Sequence, residues 1–238
     1  MFGIPDKYKV NQKIDTKLFI KKDLKQVEKK RLKECLKNIV LTYQLVGEEI
    51  PSIVNGNYNC QVIMFLEVEI DNIKNASFIG EIIQQEIKTL CIIRFFDTSM
   101  ERYYFSEKRL SMQDSSNVII ENKVITEENS IFFYDNWVER LKEVLDFNNI
   151  VSRENKLVFY REMMTKAFII SDLKSNKISE NLLNSNLWYN STKVKSLLTY
   201  LKEVERFKLQ SVKIKDTKEK VRINKELKIL NEKILELV

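Results

Sequence analysis

The sequence predicts an α/β (or α+β) body, a mixed sheet flanked by helices, followed by a helical C-terminal region with a short coiled-coil-like arm. Three observations predict this class. Only 4 Gly and 2 Pro occur in 238 residues, too few for an all-β sandwich full of tight turns. Helix-period and strand-period apolar patterns alternate through the first part of the chain. From about Trp137 onward the patterns are helical.

Residues 1–20 read as extended or irregular. A helix is expected from Asp23 to Leu45, because Leu24, Val27, Leu32, Cys35, Leu36, Ile39, Val40 and Tyr43 recur near a 3.6-residue period. Asp23 suits its N-cap, and Gly47 and Pro51 follow its end. Cys60–Ile70 reads as a strand that is apolar on both faces at its start, which predicts a central position. Ala76–Lys88 is a second amphipathic helix. Leu90–Phe96 and Arg102–Phe105 form a hairpin around Asp97-Thr98-Ser99-Met100, and Val118–Ile125 and Ile131–Tyr134 add short strands. The polar stretch Lys174–Asn190 marks the boundary between a body at 1–175 and a helical region at 176–238. Ser191–Leu209 forms a helix there. Ile223, Leu227, Leu230, Ile234 and Leu237 then follow a 4-3-4-3 spacing, an a/d heptad pattern. Two heptads are marginal as an isolated helix. The stripe therefore needs a cover, and an intermolecular one, a second copy or another protein, is the favoured expectation.

The composition excludes several chemistries. There is no histidine, so Ser-His-Asp and Cys-His hydrolases and imidazole metal sites are out. Cys35, Cys60 and Cys91 are widely spaced with no CxxC, which predicts small buried apolar side chains rather than a zinc site or disulfide framework. No apolar run reaches membrane-spanning length and the N-terminus lacks a signal-peptide core, so the expected compartment is the cytoplasm. Neither GxxxxGK[ST] nor GxGxxG occurs, and no cofactor and no metal is indicated.

Charge is unevenly spread within the net +6: residues 1–37 hold 12 Lys or Arg against 5 Asp or Glu, residues 38–192 hold 15 against 22, and residues 193–238 hold 13 against 7. Basic ends permit nucleic-acid contact through Lys21, Lys22, Lys25, Lys29, Lys30, Arg31 and Lys33 on the first helix and Lys218, Lys220 and Arg222 on the arm. The simpler reading is solvated helix faces, since Lys outnumbers the Arg that specific readers prefer. One constellation hints at catalysis. Glu67, Glu69 and Asp71 lie near the end of a central strand, where a PD-(D/E)xK nuclease would hold Mg²⁺ on hard oxygens. The lysine such a site uses is absent, and a strand emerging into solvent explains the same residues. Arg102-Tyr103-Tyr104-Phe105 interleaves cation and aromatics, but sheet packing accounts for it.

Several motifs resemble a bacterial domain-of-unknown-function family, number 4391. They are Gly3-Ile4-Pro5 leading to Val10, Lys13-Ile14 and Lys17–Phe19; Tyr43-Gln44-Leu45; the Val62–Ile70 strand carrying Glu67 and Glu69; and Lys220–Lys228, similar to the family's terminal Lys-Val-x-Leu-Asn-x-Glu-Leu. Members tend to lie beside restriction-type helicases and DNA methyltransferases. The resemblance therefore implies an accessory subunit in restriction–modification or anti-phage defence, with a helicase, nuclease or methyltransferase as partner. Ile223, Leu227, Leu230, Ile234 and Leu237 are the candidate partner surface. The alternatives are a divergent metal-dependent nuclease and a Lys-rich nucleic-acid-binding protein.

Overall fold

The computed structural model describes residues 1–20, 24–114, 117–173, 177–214 and 216–238. The chain divides into two units, Met1–Ser175 and Asn176–Val238. In chain order the first contains β1 (Lys9–Lys13), α1 (Gln26–Cys35), β2 (Leu36–Leu45), β3 (Ile53–Val54), β4 (Asn59–Cys60), β5 (Ile63–Ile70), α2 (Ala76–Glu86), β6 (Leu90–Phe96), β7 (Met100–Leu110), β8 (Val118–Ile125), β9 (Asn129–Ser130), α3 (Asn136–Val144) and α4 (Lys156–Leu173). The second contains α5 (Lys177–Leu183), α6 (Ser191–Lys213) and α7 (Thr217–Leu235). Among the described residues no helix is long and apolar enough to cross a membrane.

The sheet runs β1-β2-β5-β6-β7-β8, with β9 beside β7; β3 and β4 form a separate ribbon. Only β5 and β6 are parallel, joined through α2, so the sheet is mixed and β5 is central, as its two apolar faces predict. One face carries Leu66, Val68, Ile70, Ile93, Phe95 and Tyr104, and α1 and α2 close over it with Leu32, Cys35, Ile79 and Ile83. Gly80 makes that approach possible: a Cβ there would lie 2.5 Å from the Tyr104 ring. α4 covers part of the opposite face. Its Tyr160 hydroxyl donates to the Cys91 carbonyl (2.9 Å) and accepts from the Ser106 amide (2.7 Å), and its ring lies 6.4 Å from that of Phe105.

Two buried lysines fasten loops to this frame. Lys156 donates to the carbonyls of Gly47 (2.8 Å) and Ile50 (2.6 Å), and Lys108 to those of Ile87 (2.6 Å) and Thr89 (3.0 Å). All three cysteines are free and buried, as expected, and burial pushes the Cys60 thiol up to about 12.

Two expectations need correction. The helix over Asp23–Leu45 is half helix: α1 ends at Cys35 and the chain passes directly into β2. Residues 39–43 are Ile-Val-Leu-Thr-Tyr, all but Leu41 β-branched or aromatic and suited to a pleated surface, and β2 is paired on both sides, with β1 and β5. The proposed cap Asp23 lies outside the described residues; the Lys25 amide donates to Glu28 Oε2 (2.8 Å) at the start of α1. The short strand expected at Ile131–Tyr134 falls instead on Asn129–Ser130, and the following residues form a loop.

In the second unit α6 and α7 form an antiparallel hairpin. Lys193, near the start of α6, donates to the Leu237 carbonyl (2.8 Å), and Lys233 sits over the Tyr200 ring (5.8 Å to the centroid). Val194, Leu197, Leu198, Leu201 and Val204 of α6 are buried, as are Ile223, Leu230 and Ile234 of α7. Trp188 is buried near the start of α6, its indole N–H donating to the Leu182 carbonyl (3.0 Å).

Candidate functional site

On the face that α4 partly covers, the register sets two rows of side chains in adjacent strands. Phe65 of β5 pairs with Ile92 of β6, which pairs with Phe105 of β7. Two residues further, Glu67 pairs with Arg94, and Arg94 with Tyr103. The first row is fully buried. The second lines a cleft of about 450 Å³ together with Tyr134, Lys142 and Asp146.

Arg94 is the hub of that cleft. Its Nη1 lies 3.0 Å from Glu67 Oε1 and its Nε 2.6 Å from Glu101 Oε2. Burial alone would lower the guanidinium, but Glu101, Tyr103 and Glu67 outweigh it and hold the group above its usual value. Glu101 is 1% exposed; its other oxygen, Oε1, has no hydrogen-bond partner and lies 3.7 Å from Lys142 Nζ. Lys142 in turn sits 3.4 Å from the centroid of the Tyr134 ring. Burial, then Glu101, raises the Tyr103 phenol, so Tyr103 stays neutral at physiological pH. The result is a linked chain of charges, Glu67–Arg94–Glu101–Lys142, ending on an aromatic ring.

Tyr134 belongs to the loop between β9 and α3. The loop is held at several points: the Ile131 amide donates to the Ser99 carbonyl (2.9 Å), Ser130 Oγ accepts from the Phe132 (3.2 Å) and Phe133 (3.4 Å) amides, and Asn129 Oδ1 accepts from the Asp135 amide (3.1 Å). Yet Phe132 is 68% and Phe133 82% exposed. The two phenylalanines are therefore exposed on a hydrogen-bonded loop that leads into Tyr134 of the cleft.

The predicted site residues fall in several places. Glu67 enters the cleft, already paired with Arg94. Glu69 lies further along β5, opposite Asn38 of β2 and Phe96 of β6. Asp71 turns to the start of α2, accepting from the Asn72 amide (2.7 Å) and Asn75 Nδ2 (2.9 Å). The three carboxylates do not converge, and among the described residues no group of three His, Cys, Asp or Glu is placed to hold a metal ion. Lys21 and Lys22 lie outside the described residues. Lys25, at the N-cap of α1, and Lys30, Arg31 and Lys33 on it are exposed and Lys29 is half-buried; Arg31 is engaged by Asn75 Oδ1 (2.7 Å) and stacks over Phe78. Lys218, Lys220 and Arg222 are exposed on α7, in the other unit. Of the heptad stripe expected to form an intermolecular seam, Ile223, Leu230 and Ile234 are buried within the single chain, and Leu227 and Leu237 are half-buried. Arg94, Glu101, Tyr134 and Lys142 were not singled out from the sequence. The available signal was Arg94 itself, a lone charge inside the apolar run Leu90–Phe96.

No curated protein and no solved structure matches the chain. A family model, domain of unknown function DUF4391, matches residues 2–234, spanning both units, and the chain therefore belongs to that family.

Proposed function

We propose that this chain is a non-catalytic accessory subunit of a bacterial DNA restriction–modification or anti-phage defence system, docking on a helicase, nuclease or methyltransferase. The observation that carries the interaction part is the fixed loop presenting Phe132 and Phe133. Exposed aromatics on a rigid support bury large area on association at little entropic cost, the property of interface anchors. The cleft lined by the neighbouring Tyr134 supports a recognition role, since Arg94 bridges Glu67 and Glu101 there. Three free buried thiols fit a reducing cytoplasm, the compartment this reading needs. The test is affinity capture of the tagged chain from its host, beside the Phe132→Ser/Phe133→Ser variant. A DNA-processing enzyme recovered by the first and lost by the second is the expected result. Recovery of no such enzyme by the native chain overturns the reading.

A metal-dependent nuclease is the second reading. The observation in its favour is Asn38, whose buried Oδ1 has no hydrogen-bond partner and whose backbone pairs with Glu69. It requires Mg²⁺- or Mn²⁺-dependent cleavage of plasmid DNA that Glu67→Ala/Glu69→Ala abolishes. Cleavage that survives the double change rejects this assignment of the site.

A further inference from the structure

The α6–α7 hairpin is closed at its base and open toward its tip. Between Val204 and Ile223 none of the described residues is buried. Val212 follows Leu201, and Leu209 follows Leu198, by about three helical turns, so both return to the face of α6 that is buried nearer the base. Leu201 and Leu198 are each 1% exposed, whereas Val212 is 84% and Leu209 61% exposed. The apolar stripe of α6 therefore continues past its cover.

The charges around this open segment are lopsided. Its carboxylates are committed: Glu205 pairs with Lys202 (2.9 Å), Glu219 with Arg222 (3.4 Å), and Asp216 caps α7 by accepting from the Lys218 amide (2.9 Å). Arg206, Lys213, Lys218 and Lys220 have no carboxylate partner among the described residues. An apolar stripe flanked by uncompensated cations fits a helix that offers leucine-type side chains at i, i+3, i+4 and i+7 with carboxylates beside them. A phosphate backbone would use the cations and leave Leu209 and Val212 wet. A second copy would bring like charges together.

We propose that the hairpin tip docks an acidic amphipathic helix of a partner protein, with Leu209 and Val212 as the apolar contacts and Lys213, Lys218 and Lys220 as the flanking cations. This goes beyond the loop reading, because it concerns the other unit. The test uses the full chain and a fluorescein-labelled peptide of about three heptads with Leu at a and d and Glu at the flanking positions. Saturable binding is expected. It should weaken about tenfold or more in Leu209→Ser/Val212→Ser and in Lys213→Glu/Lys218→Glu/Lys220→Glu, and fall with added salt. Phe132→Ser/Phe133→Ser should bind the peptide as the native chain does, so the two readings fail independently. All these positions are exposed, and an unchanged melting temperature verifies folding. Three results overturn the proposal: no binding by the native chain, binding indifferent to the Leu209/Val212 change, or preferential binding of a DNA duplex of about 20 base pairs that only the Lys changes abolish. A tip-dependent dimer in the absence of peptide overturns it as well, by assigning the stripe to a second copy.

Discussion

The same face of β5, β6 and β7 is apolar in one row and ionic in the next. At Phe65–Ile92–Phe105 every position is closed, and Phe105 meets Tyr160 of α4. At Glu67–Arg94–Tyr103 the face opens into the cleft and the contacts become charge-assisted hydrogen bonds. The hairpin repeats the contrast between a buried stripe and an open one. In both places secondary structure continues unchanged while its cover ends, and charged and exposed side chains gather at the open end. Burial stabilises at the closed end, and orientation is what the open end supplies.

This contrast can be broken by mutation. The largest effect is expected in the closed row. Phe105→Ala removes a fully buried ring beside Tyr160 and should cost about 3–5 kcal/mol, read as a large fall in melting temperature. A loss under about 1 kcal/mol would mean this row is not the packed core described.

Arg94→Met comes next. It leaves Glu101 buried with only Lys142 nearby and should cost about 3 kcal/mol, because an uncompensated buried charge is expensive. Arg94→Met/Glu101→Leu should recover most of that loss, since removing both charges removes the penalty. Failure of the double variant to recover would show that Arg94 acts through packing instead.

In the hairpin, Leu230→Ala should cost about 2–3 kcal/mol in the isolated protein with no change in oligomeric mass. A changed mass with unchanged melting would restore the intermolecular seam. The smallest effect concerns α1. Lys25→Gln/Lys30→Gln/Lys33→Gln should shift stability by less than about 0.5 kcal/mol, these side chains being exposed. If α1 contacts phosphate, the same change should flatten the salt dependence of nucleic-acid binding by nearly one log unit per lysine. An unaltered slope removes α1 from any such surface.

Part of the site was legible before the structure. The alternation through Val62–Ile70 placed Glu67 and Glu69 together on one face of a central strand. It could not show what stood opposite them. Arg94 reaches Glu67 only because β6 lies parallel to β5 in the observed register, and Glu101 reaches Arg94 only because the β6–β7 turn returns at Asp97. The Ile131–Tyr134 loop read as a strand because its side chains are apolar, and apolar side chains ordinarily seek cover.

The sequence by itself determined the mixed α/β class, the strands Leu90–Phe96 and Val118–Ile125, the burial of the three cysteines and the helical end of the chain, because each rests on local periodicity and side-chain preference. Only the tertiary structure decided that Leu36–Leu45 is a strand: its apolar spacing fits a helix as well, and two neighbouring strands supply the pairing that breaks the tie. Only the tertiary structure likewise closed the Ile223–Ile234 stripe on α6 and left Leu209 and Val212 uncovered. A periodic stripe states that a face must be buried, and the identity of its cover depends on which distant segment arrives there.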